Sequence, residues 1–282
     1  MLTASRNILA SVGFQLRLRG ALAPRLGYAL RYWAGYLQAR SPFVRASHAA
    51  AHLEALNRLS RSGRSRRRVL FRLPSGLAME ADLLTCFLVL KELIQDRIYE
   101  DESDSGFLPG SGQTVFDIGG QQGTYALIAA QRVGPQGRVL VLEPEPGNFA
   151  VLSGNLRRNG LGHARAVQAA VSDREGEAVL HLHPDITGSH SLDSDFGSRS
   201  VPVRLTTLDS LCAQTGWTPD IIKIDVEGHS LPVLRGGLDL FRRRKPRIVI
   251  ELDDPADPER IGALLRPFGY ALRVRQNNLF AA

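Results

Sequence analysis

Four ionisable side chains alternate with other residues in the stretch IIKIDVEGH, at positions Lys223, Asp225, Glu227 and His229. In a strand, alternation places every second side chain on the same side, so these four would line one face. Acids at the end of a parallel strand border the crevice in which α/β proteins bind their ligands. Together the four could remove a proton from a bound substrate by general acid–base chemistry. We therefore predict that they are the catalytic residues.

The polar loop 185–197, with the sequence DITGSHSLDSDFG, supplies a further candidate base, His190. We expect this loop to close over the substrate. A divalent metal is the other means of activating a hydroxyl group. The side chains that could hold such a metal are Asp225, Glu227, His229, Glu251 and Asp253. Their oxygen atoms would suit magnesium or manganese better than zinc. No spacing is diagnostic of a metal site, so a required metal is not favoured.

The segment TVFDIGGQQGTYALIAAQRVGPQGRVLVLE, residues 114–143, is typical of a strand, a glycine turn, a helix and a second strand. Its first apolar run is short and continuous, as in a parallel strand that is covered on both faces. Glycines at 119, 120 and 123 end that strand, and apolar residues then recur at helical spacing up to Val133. The segment is therefore predicted to be one βαβ unit of an open α/β sheet.

Two carboxyl groups in this unit indicate the kind of ligand that it binds. The dinucleotide fingerprint G-x-G-x-x-G is absent, and Asp117 would repel a pyrophosphate at the turn. Glu143 ends the second strand, twenty residues after Gly123, where an acid can accept hydrogen bonds from both hydroxyls of a ribose. An adenosine with a cationic tail and no phosphate is S-adenosylmethionine. NAD, or a βαβ unit without any ligand, stays as an alternative.

Strand patterns alternate with helical patterns over the rest of the chain, which predicts a doubly wound, mostly parallel sheet. The predicted strands are 164–171, 177–183, 201–205, 220–226, 247–252 and 270–275, and the main helices between them are 144–158, 230–243 and 257–268. Upstream, residues 69–79 are predicted to form a hairpin and residues 81–97 a helix.

Positive charge is concentrated in the first quarter of the chain. Residues 1–72 contain 14 Lys and Arg and one acid, whereas the remainder contains 21 Lys and Arg and 27 acids. Helical leucine spacing over 6–60 predicts a basic helical extension, which would offer a surface for a homo-oligomer. Its arginines leave nucleic acid or an anionic membrane surface open as partners. A solvated helical cap is the simpler interpretation, and we expect neither of those partners.

The predicted domains are the basic helical extension (1–68), a hairpin and helix leading into the core (69–112), and the ligand-binding domain (113–282). Two cysteines, Cys86 and Cys212, lie in apolar runs without a disulfide framework or a zinc motif around them. Such cysteine usage is typical of a reducing compartment, so we expect a cytoplasmic protein.

Seven motifs between Tyr99 and Leu252 make the sequence similar to the FkbM family of S-adenosylmethionine-dependent methyltransferases. They are VFDIGGQQG (115–123), LEPEPxNF (142–149), NxxxNGL (155–161), AVSDxEG (170–176), GSxSL (188–192), TTLDSL (206–211) and IKIDVEG (222–228). The last is specific when it follows the others in this order. The family usually has Ala-Asn where this chain has Gly120-Gln121, so Gln121 would take the place of the asparagine near the cofactor's tail.

The resemblance implies a class I methyltransferase fold, with a Rossmann-like seven-stranded sheet and the cofactor over its first two strands. The residues that would border the methionine part of the cofactor are Asp117, Gly119, Gly120, Gln121 and Gly123. Those that would lie around the ribose and the adenine are Glu143, Asn148, Ser172 and Asp173. Asp225 and Glu227 would lie above the sulfonium.

The function implied by the family is methylation with S-adenosylmethionine, giving S-adenosylhomocysteine as product. The expected acceptor is a small molecule with a hydroxyl, such as a sugar, a lipid or a natural product. Two alternatives are kept. One is a non-catalytic Rossmann-like module that binds nucleic acid or anionic membrane through its basic N-terminus, and the other is an NAD-dependent oxidoreductase.

Overall fold

The computed structural model describes residues 68–73, 75–82, 85, 99, 105–184 and 188–282. The chain divides into two compact units, Met1–Asp96 and Arg97–Ala282. The predicted helical extension over 6–60 and nearly all of the predicted helix 81–97 lie outside the described residues. No helix among those residues is long and apolar enough to cross a bilayer.

In the first unit, the hairpin predicted at 69–79 is present. Strand β1 (Arg68–Arg72) pairs antiparallel with β2 (Ala78–Asp82). At the turn, Leu73 N–H donates to the Leu77 carbonyl at 2.8 Å, and Gly76 adopts a φ of 91°, which glycine tolerates without steric cost.

The second unit alternates strands and helices. Its strands are β3 (Thr114–Ile118), β4 (Arg138–Leu142), β5 (Ala164–Val167), β6 (Ala170–Val171), β7 (Gly176–His181), β8 (Ser200–Thr206), β9 (Ile221–Ile224), β10 (Arg247–Glu251), β11 (Leu272–Arg275) and β12 (Asn278–Ala281). Its helices are α1 (Thr124–Val133), α2 (Pro146–Arg158), α3 (Leu208–Thr215), α4 (Ser230–Arg235), α5 (Leu238–Arg243) and α6 (Asp257–Leu265).

Seven of these strands form one sheet in the order β11-β12-β10-β9-β3-β4-β5. Strands β5, β4, β3, β9 and β10 pair in parallel, and β12 pairs antiparallel with both of its neighbours. The predicted mostly parallel seven-stranded sheet is therefore confirmed. Strand β3 lies at the centre of the five parallel strands, where the chain order reverses, and this switch point is where open α/β sheets bind ligands.

One row of side chains shows why these strands form the centre of the core. Phe116, Leu140, Ile222 and Ile248 are register partners across four neighbouring strands, and all are fully buried. Burying each such side chain contributes about 1.5–3 kcal/mol. Short apolar runs of this kind are what a sheet that is covered on both faces requires.

The predicted third strand, 164–171, is divided between two sheets. Strand β5 ends at Val167, and Ala169 N–H then donates back to the Val167 carbonyl at 3.2 Å, which turns the chain away from β4. Strand β6 pairs instead with β8, in a three-stranded sheet of order β6-β8-β7. The prediction was wrong here because the apolar pattern continues through the turn and hides it.

Candidate active site

The glycine turn after β3 is fixed against the end of β4. Gly119 and Gly120 N–H groups both donate to the Leu142 carbonyl, at 3.0 and 2.8 Å. Gly119 has a φ of 82°, and a Cβ at this position would lie 1.8 Å from the Asp225 carbonyl oxygen. A Cβ on Gly120 would lie 2.2 Å from Val141 Cγ1. Only glycine therefore lets β3, β4 and the segment after β9 approach this closely.

Helix α2 supports the turn from behind. The Asn155 side-chain amide donates to the Gln122 carbonyl at 2.8 Å, and Gln122 Nε2 donates to Asn148 Oδ1 at 3.2 Å. Both asparagines are buried, and seven positions of helix separate them, which places them on one face. Asn148 N–H also donates to the N-cap carboxylate of Glu145 at 2.6 Å. Asn148 thus holds the turn through Gln122, which leads into Gly123 and α1.

Glu143, directly after β4, is held by the backbone. Its Oε2 accepts from Gln121 N–H at 2.8 Å, and its Oε1 accepts from Glu145 N–H at 2.9 Å. Burial raises the pKa of Glu143 to about 8, although both N–H groups act in the opposite direction. Each carboxylate oxygen can accept a second hydrogen bond. The group therefore keeps capacity for the two hydroxyls of a ribose.

Lys223 is the centre of a second group of charges, on β9. Its ammonium lies 3.3 Å from Asp117 Oδ1 and 3.1 Å from Asp225 Oδ2, and it donates to the Gly119 carbonyl at 2.9 Å. Asp117 and Lys223 are register partners across β3 and β9. Burial alone would lower the pKa of Lys223, but the two carboxylates outweigh it and raise that pKa.

Asp117 is fully buried, and neither of its carboxylate oxygens accepts a well-aligned hydrogen bond. The ion pair with Lys223 is short in distance but poorly aligned. Burial raises the pKa of Asp117 more strongly than Lys223 lowers it. A fully buried acid without aligned donors is costly, so this position favours a nearby positive charge.

Tyr99 joins the carboxyl groups at the ends of β9 and β10. Its hydroxyl lies 3.0 Å from Asp225 Oδ2 and 3.1 Å from Glu251 Oε2. Its ring meets the Tyr125 ring edge to face at 5.5 Å, and the Lys223 ammonium lies 5.4 Å from its centroid. Sequence reasoning missed Tyr99 and considered Glu251 only as a possible metal ligand, because these contacts join residues 126 and 152 positions apart in the chain.

The turn after β9 ends the predicted alternation. Lys223 and Asp225 do lie together, but Glu227 has a φ of 50° and Gly228 a φ of 95°, so the strand pattern stops before His229. Burial, followed by the charges of Asp225 and Asp253, raises the pKa of Glu227 to about 8. Glu227 is therefore close to its titration point near neutral pH.

His229 forms a chain with a serine and an aspartate. Its Nε2 lies 2.9 Å from Ser172 Oγ, and its Nδ1 lies 2.6 Å from Asp193 Oδ2. The order resembles the Ser-His-Asp triad of hydrolases, but Ser172 is only 1% exposed and cannot meet a substrate as a nucleophile. Both ring nitrogens already have partners, so His229 links structural elements.

The segment 188–193, which we call the lid segment, contacts the site at three points. A Cβ on Gly188 would lie 2.9 Å from Gln121 Nε2, Ser191 Oγ donates to the Glu227 carbonyl at 3.2 Å, and Asp193 binds His229. Gln121 and Glu227 are two of the three non-glycine residues with positive φ in the described parts of the chain. Such strained residues cluster at functional sites.

Comparison with known proteins agrees with this geometry. The family model described as the methyltransferase FkbM domain matches residues 117–272, more than half of the chain. The chain belongs to the FkbM methyltransferase family.

Individual relatives are distant. Methyltransferase sdnD of Sordaria araneosa is 27% identical over 231 residues, which cover 68% of this chain and 88% of that protein. The hexuronic acid methyltransferase AglP of Haloferax volcanii is 26% identical over 154 residues, covering 54% and 60%. A crystal structure of methyltransferase FkbM from Methylobacillus flagellatus aligns with a TM-score of 0.49 at 18% identity, covering 71% of this chain and about half (52%) of that one.

Membership of the FkbM family confirms the predicted resemblance, and the sheet order described above is that of the predicted class I methyltransferase fold. The structure brings the predicted cofactor residues of the β3–β4 side together around the glycine turn. It places Ser172 and Asp173 after β6, where Ser172 binds His229 and Asp173 pairs with Arg174 at 3.1 Å. Their contact with adenine stays a prediction.

The predicted bases differ in how far they are already engaged. His190 Nδ1 accepts from the N–H of His183, just before its loop, at 3.0 Å. Residues that sequence reasoning missed are Tyr99, Gln122, Asn155 and Asp193. The sequence does contain one sign of the role of Asn155, because its spacing from Asn148 places the two asparagines on the same face of helix α2.

In the described parts of the chain, no group of three or more His, Cys, Asp or Glu side chains is arranged to hold a metal ion.

Proposed function

We propose that this FkbM methyltransferase uses S-adenosylmethionine to methylate a hydroxyl group. The observation that carries the proposal is the pair of buried carboxyl groups on either side of the glycine turn, Asp117 in β3 and Glu143 after β4. This arrangement suits a ribose joined to a cationic tail and disfavours a pyrophosphate. The family match supports the transfer of a methyl group.

The β3–β4 side would bind the cofactor. Glu143 would accept the ribose hydroxyls, and the backbone at Gly119 and Gly120 would lie against the methionine part. Gln121 N–H donates to the Glu143 carboxylate at 2.8 Å, which fixes the position of Gln121 in the turn. Gln121 would therefore border the methionine part of the cofactor from the side opposite the two glycines. Asn148 would act indirectly, through Gln122.

When bound, S-adenosylmethionine supplies an electrophilic methyl group on a positively charged sulfur. Transfer from a sulfonium cancels charge, so the protein contributes mainly by positioning the acceptor. An acceptor hydroxyl must also lose its proton, which requires a base. Among the five predicted catalytic residues, we favour Glu227 for this role.

The contacts of the other four candidates support this choice. Lys223 is charged and almost fully buried, and Asp225 is held by Lys223 and Tyr99. His229 has partners at both ring nitrogens, and His190 accepts a hydrogen bond from His183 N–H. The pKa of the Glu227 carboxyl is about 8, so its ionised form, which can take a proton, increases as the pH rises through that value.

The acceptor class remains part of the proposal. A sugar hydroxyl has the most support, since one relative is named a hexuronic acid methyltransferase. A lipid or another natural product with a hydroxyl is the wider class. A cytoplasmic location and a homo-oligomer formed through the N-terminal region also stay proposals.

Calorimetric titration with S-adenosylhomocysteine, with NAD as a parallel ligand, tests the cofactor. We expect S-adenosylhomocysteine to bind and NAD not to bind. Glu143→Ala should weaken the binding of S-adenosylhomocysteine by about 1–3 kcal/mol, because ribose hydroxyls lose a charged acceptor. Glu177→Ala, which removes an exposed acid from β7, should leave it unchanged.

The pH dependence gives a second readout from the same experiment. Ribose hydroxyls bind the ionised carboxylate, so the affinity of the wild-type protein should rise as the pH rises through about 8, the pKa of Glu143. Glu143→Gln should lose this rise, because an amide does not titrate. Binding of NAD alone, or equal affinity of Glu143→Ala and wild-type protein, would show that the proposed cofactor placement is wrong.

A further inference from the structure

The motif GSHSL, residues 188–192, makes up most of the lid segment and contacts both the glycine turn and Glu227. Its second half is anchored on the three-stranded sheet. Ser191 and His181 exchange two backbone hydrogen bonds, at 2.8 and 3.0 Å, and the Leu192 side chain packs against the apolar core of that sheet. The lid segment is therefore attached to the fold at one end, and its first residues reach the site.

Gly188 brings the lid segment against the glycine turn. A Cβ on Gly188 would lie 2.9 Å from Gln121 Nε2, so any side chain at this position would displace the Gln121 amide. Gly188 does not have a positive φ, so its backbone conformation does not require glycine. The close approach of Gln121 does. Gln121 N–H in turn donates to Glu143 at 2.8 Å, which connects the lid segment to the proposed ribose site.

Two alternate residues of the motif, Ser189 and Ser191, hold Glu227 at two places. The Ser189 side chain donates to the Glu227 carboxyl, an interaction that opposes the rise in its pKa caused by burial. Ser191 Oγ donates to the Glu227 carbonyl at 3.2 Å and accepts from the N–H groups of Asp193 and Ser194, each at 3.1 Å. Ser191 is only 2% exposed, and these three bonds use the full capacity of a hydroxyl group.

The backbone of Glu227 needs such support. Its φ of 50° lies in the left-handed region, which is costly for a residue with a Cβ and persists only when neighbouring groups fix it. Gly228 N–H provides one further contact, to Asp253 Oδ2 at 2.7 Å. The orientation of the Glu227 carboxyl therefore depends on contacts from outside its own turn, and the lid segment supplies two of them.

We propose that Ser189 and Ser191 are positioning residues, through which a cofactor bound at the glycine turn fixes the Glu227 carboxyl for the acceptor. This role rests on the proposed function, in which Glu227 is the base and S-adenosylmethionine the cofactor. A ligand shifts a segment only if it interacts differently with the ordered and the less ordered forms. The methionine part of the cofactor, beside Gln121, would do so by confining the side chain against which Gly188 packs.

The connection would also set an order of events in the site. The base would be held in place only when the methyl donor is bound, so an acceptor hydroxyl would not lose its proton without a donor beside it. Coupling between two sites is reciprocal. An acceptor that binds at Glu227 would therefore also strengthen the binding of the cofactor at the glycine turn.

Hydrogen exchange of backbone amides, measured by mass spectrometry with and without saturating S-adenosylhomocysteine, tests this role without an acceptor. In the wild-type protein, we expect the ligand to slow exchange at the glycine turn, residues 119–123. We also expect it to slow exchange in residues 226–229, by about 5-fold or more. The second effect reports the connection through the lid segment.

Ser189→Ala and Ser191→Ala should keep the slower exchange at 119–123 but reduce the effect of the ligand at 226–229 to less than about 2-fold. Ser189→Thr keeps the hydroxyl and should restore it. Ser194→Ala, an exposed serine of the same loop, is the matched control and should behave like the wild-type protein. A purely structural role of the serines would speed exchange equally with and without the ligand, and would leave the effect of the ligand unchanged.

The results distinguish a failure of this role from a failure of the proposed cofactor. Protection of 226–229 that persists in both alanine variants, or that is lost in Ser194→Ala as well, would overturn the role of the two serines. Wild-type protection confined to 119–123 would overturn it too, and all three results would leave the cofactor proposal intact. If S-adenosylhomocysteine slowed exchange nowhere, the proposed cofactor would be overturned, and the positioning role with it.

Discussion

The β3–β4 side and the β9–β10 side of the sheet hold their polar groups in opposite ways. On the β3–β4 side, backbone N–H groups fix Glu143, and glycine geometry fixes the turn. On the β9–β10 side, side chains from distant parts of the chain fix one another: Lys223, Asp117, Asp225, Tyr99 and Glu251. The first arrangement exists as soon as the backbone is formed. The second depends on charge, so it can respond to a proton or to a ligand.

This contrast predicts that the largest stability effect comes from Lys223. Lys223→Met leaves Asp117 and Asp225 without their cation and should lower the free energy of unfolding by about 3–5 kcal/mol. Urea unfolding at pH 8 measures it. The loss should shrink as the pH falls, because protonation of Asp117, whose pKa burial already raises, removes the uncompensated charge.

Lys245→Met is the matched control for this change. Lys245 is exposed, and its replacement should alter the free energy of unfolding by no more than about 0.5 kcal/mol. Wild-type stability of Lys223→Met at pH 8 would contradict the view that side-chain charges hold the β9–β10 side together.

A second prediction separates binding from chemistry. Glu227→Gln should lower the methyl-transfer rate by about 100-fold or more, because the acceptor loses its base. The affinity for S-adenosylhomocysteine should stay close to that of the wild-type protein, which is the reverse of the expectation for Glu143→Ala. Single-turnover rates with an acceptor found by screening hydroxylated sugars measure the first quantity, and calorimetry measures the second.

The pH profile tests the same assignment. The wild-type rate should rise as the pH rises through about 8, the pKa of Glu227, because only the ionised carboxylate can take a proton. Glu177→Gln, an exposed acid on β7, should keep both the rate and the profile. A Glu227→Gln protein with wild-type turnover would remove Glu227 from the mechanism.

The same contrast explains which parts of the site the sequence predicts. The glycine turn and Glu143 are local features, since strand, turn and carboxylate lie within residues 114–143 and their spacing shows their relation. Tyr99 and Glu251 meet only when β9 and β10 are paired and the chain before β3 returns to their ends, which no local pattern records. The alternation of charged residues held for Lys223 and Asp225. It did not extend to His229, because Glu227 and Gly228 adopt left-handed backbone conformations.

The lid segment should give the smallest effect, and it would be seen in rates more than in stability. Asp193 Oδ2 lies 2.6 Å from His229 Nδ1, but its side chain is 54% exposed, so solvent weakens the interaction. Asp193→Asn should speed the dissociation of S-adenosylhomocysteine by about 2- to 5-fold, measured by stopped flow, with equilibrium unfolding unchanged.

Asp195→Asn is the control, because its carboxylate lies 3.3 Å from His181, away from the turn after β9. Equal dissociation rates in both variants and the wild-type protein would show that the Asp193–His229 contact does not restrain the cofactor. Faster release in Asp193→Asn alone would instead show that the lid segment controls exchange at a site whose affinity is set by the β3–β4 side, as expected for a segment that opens locally at low energetic cost.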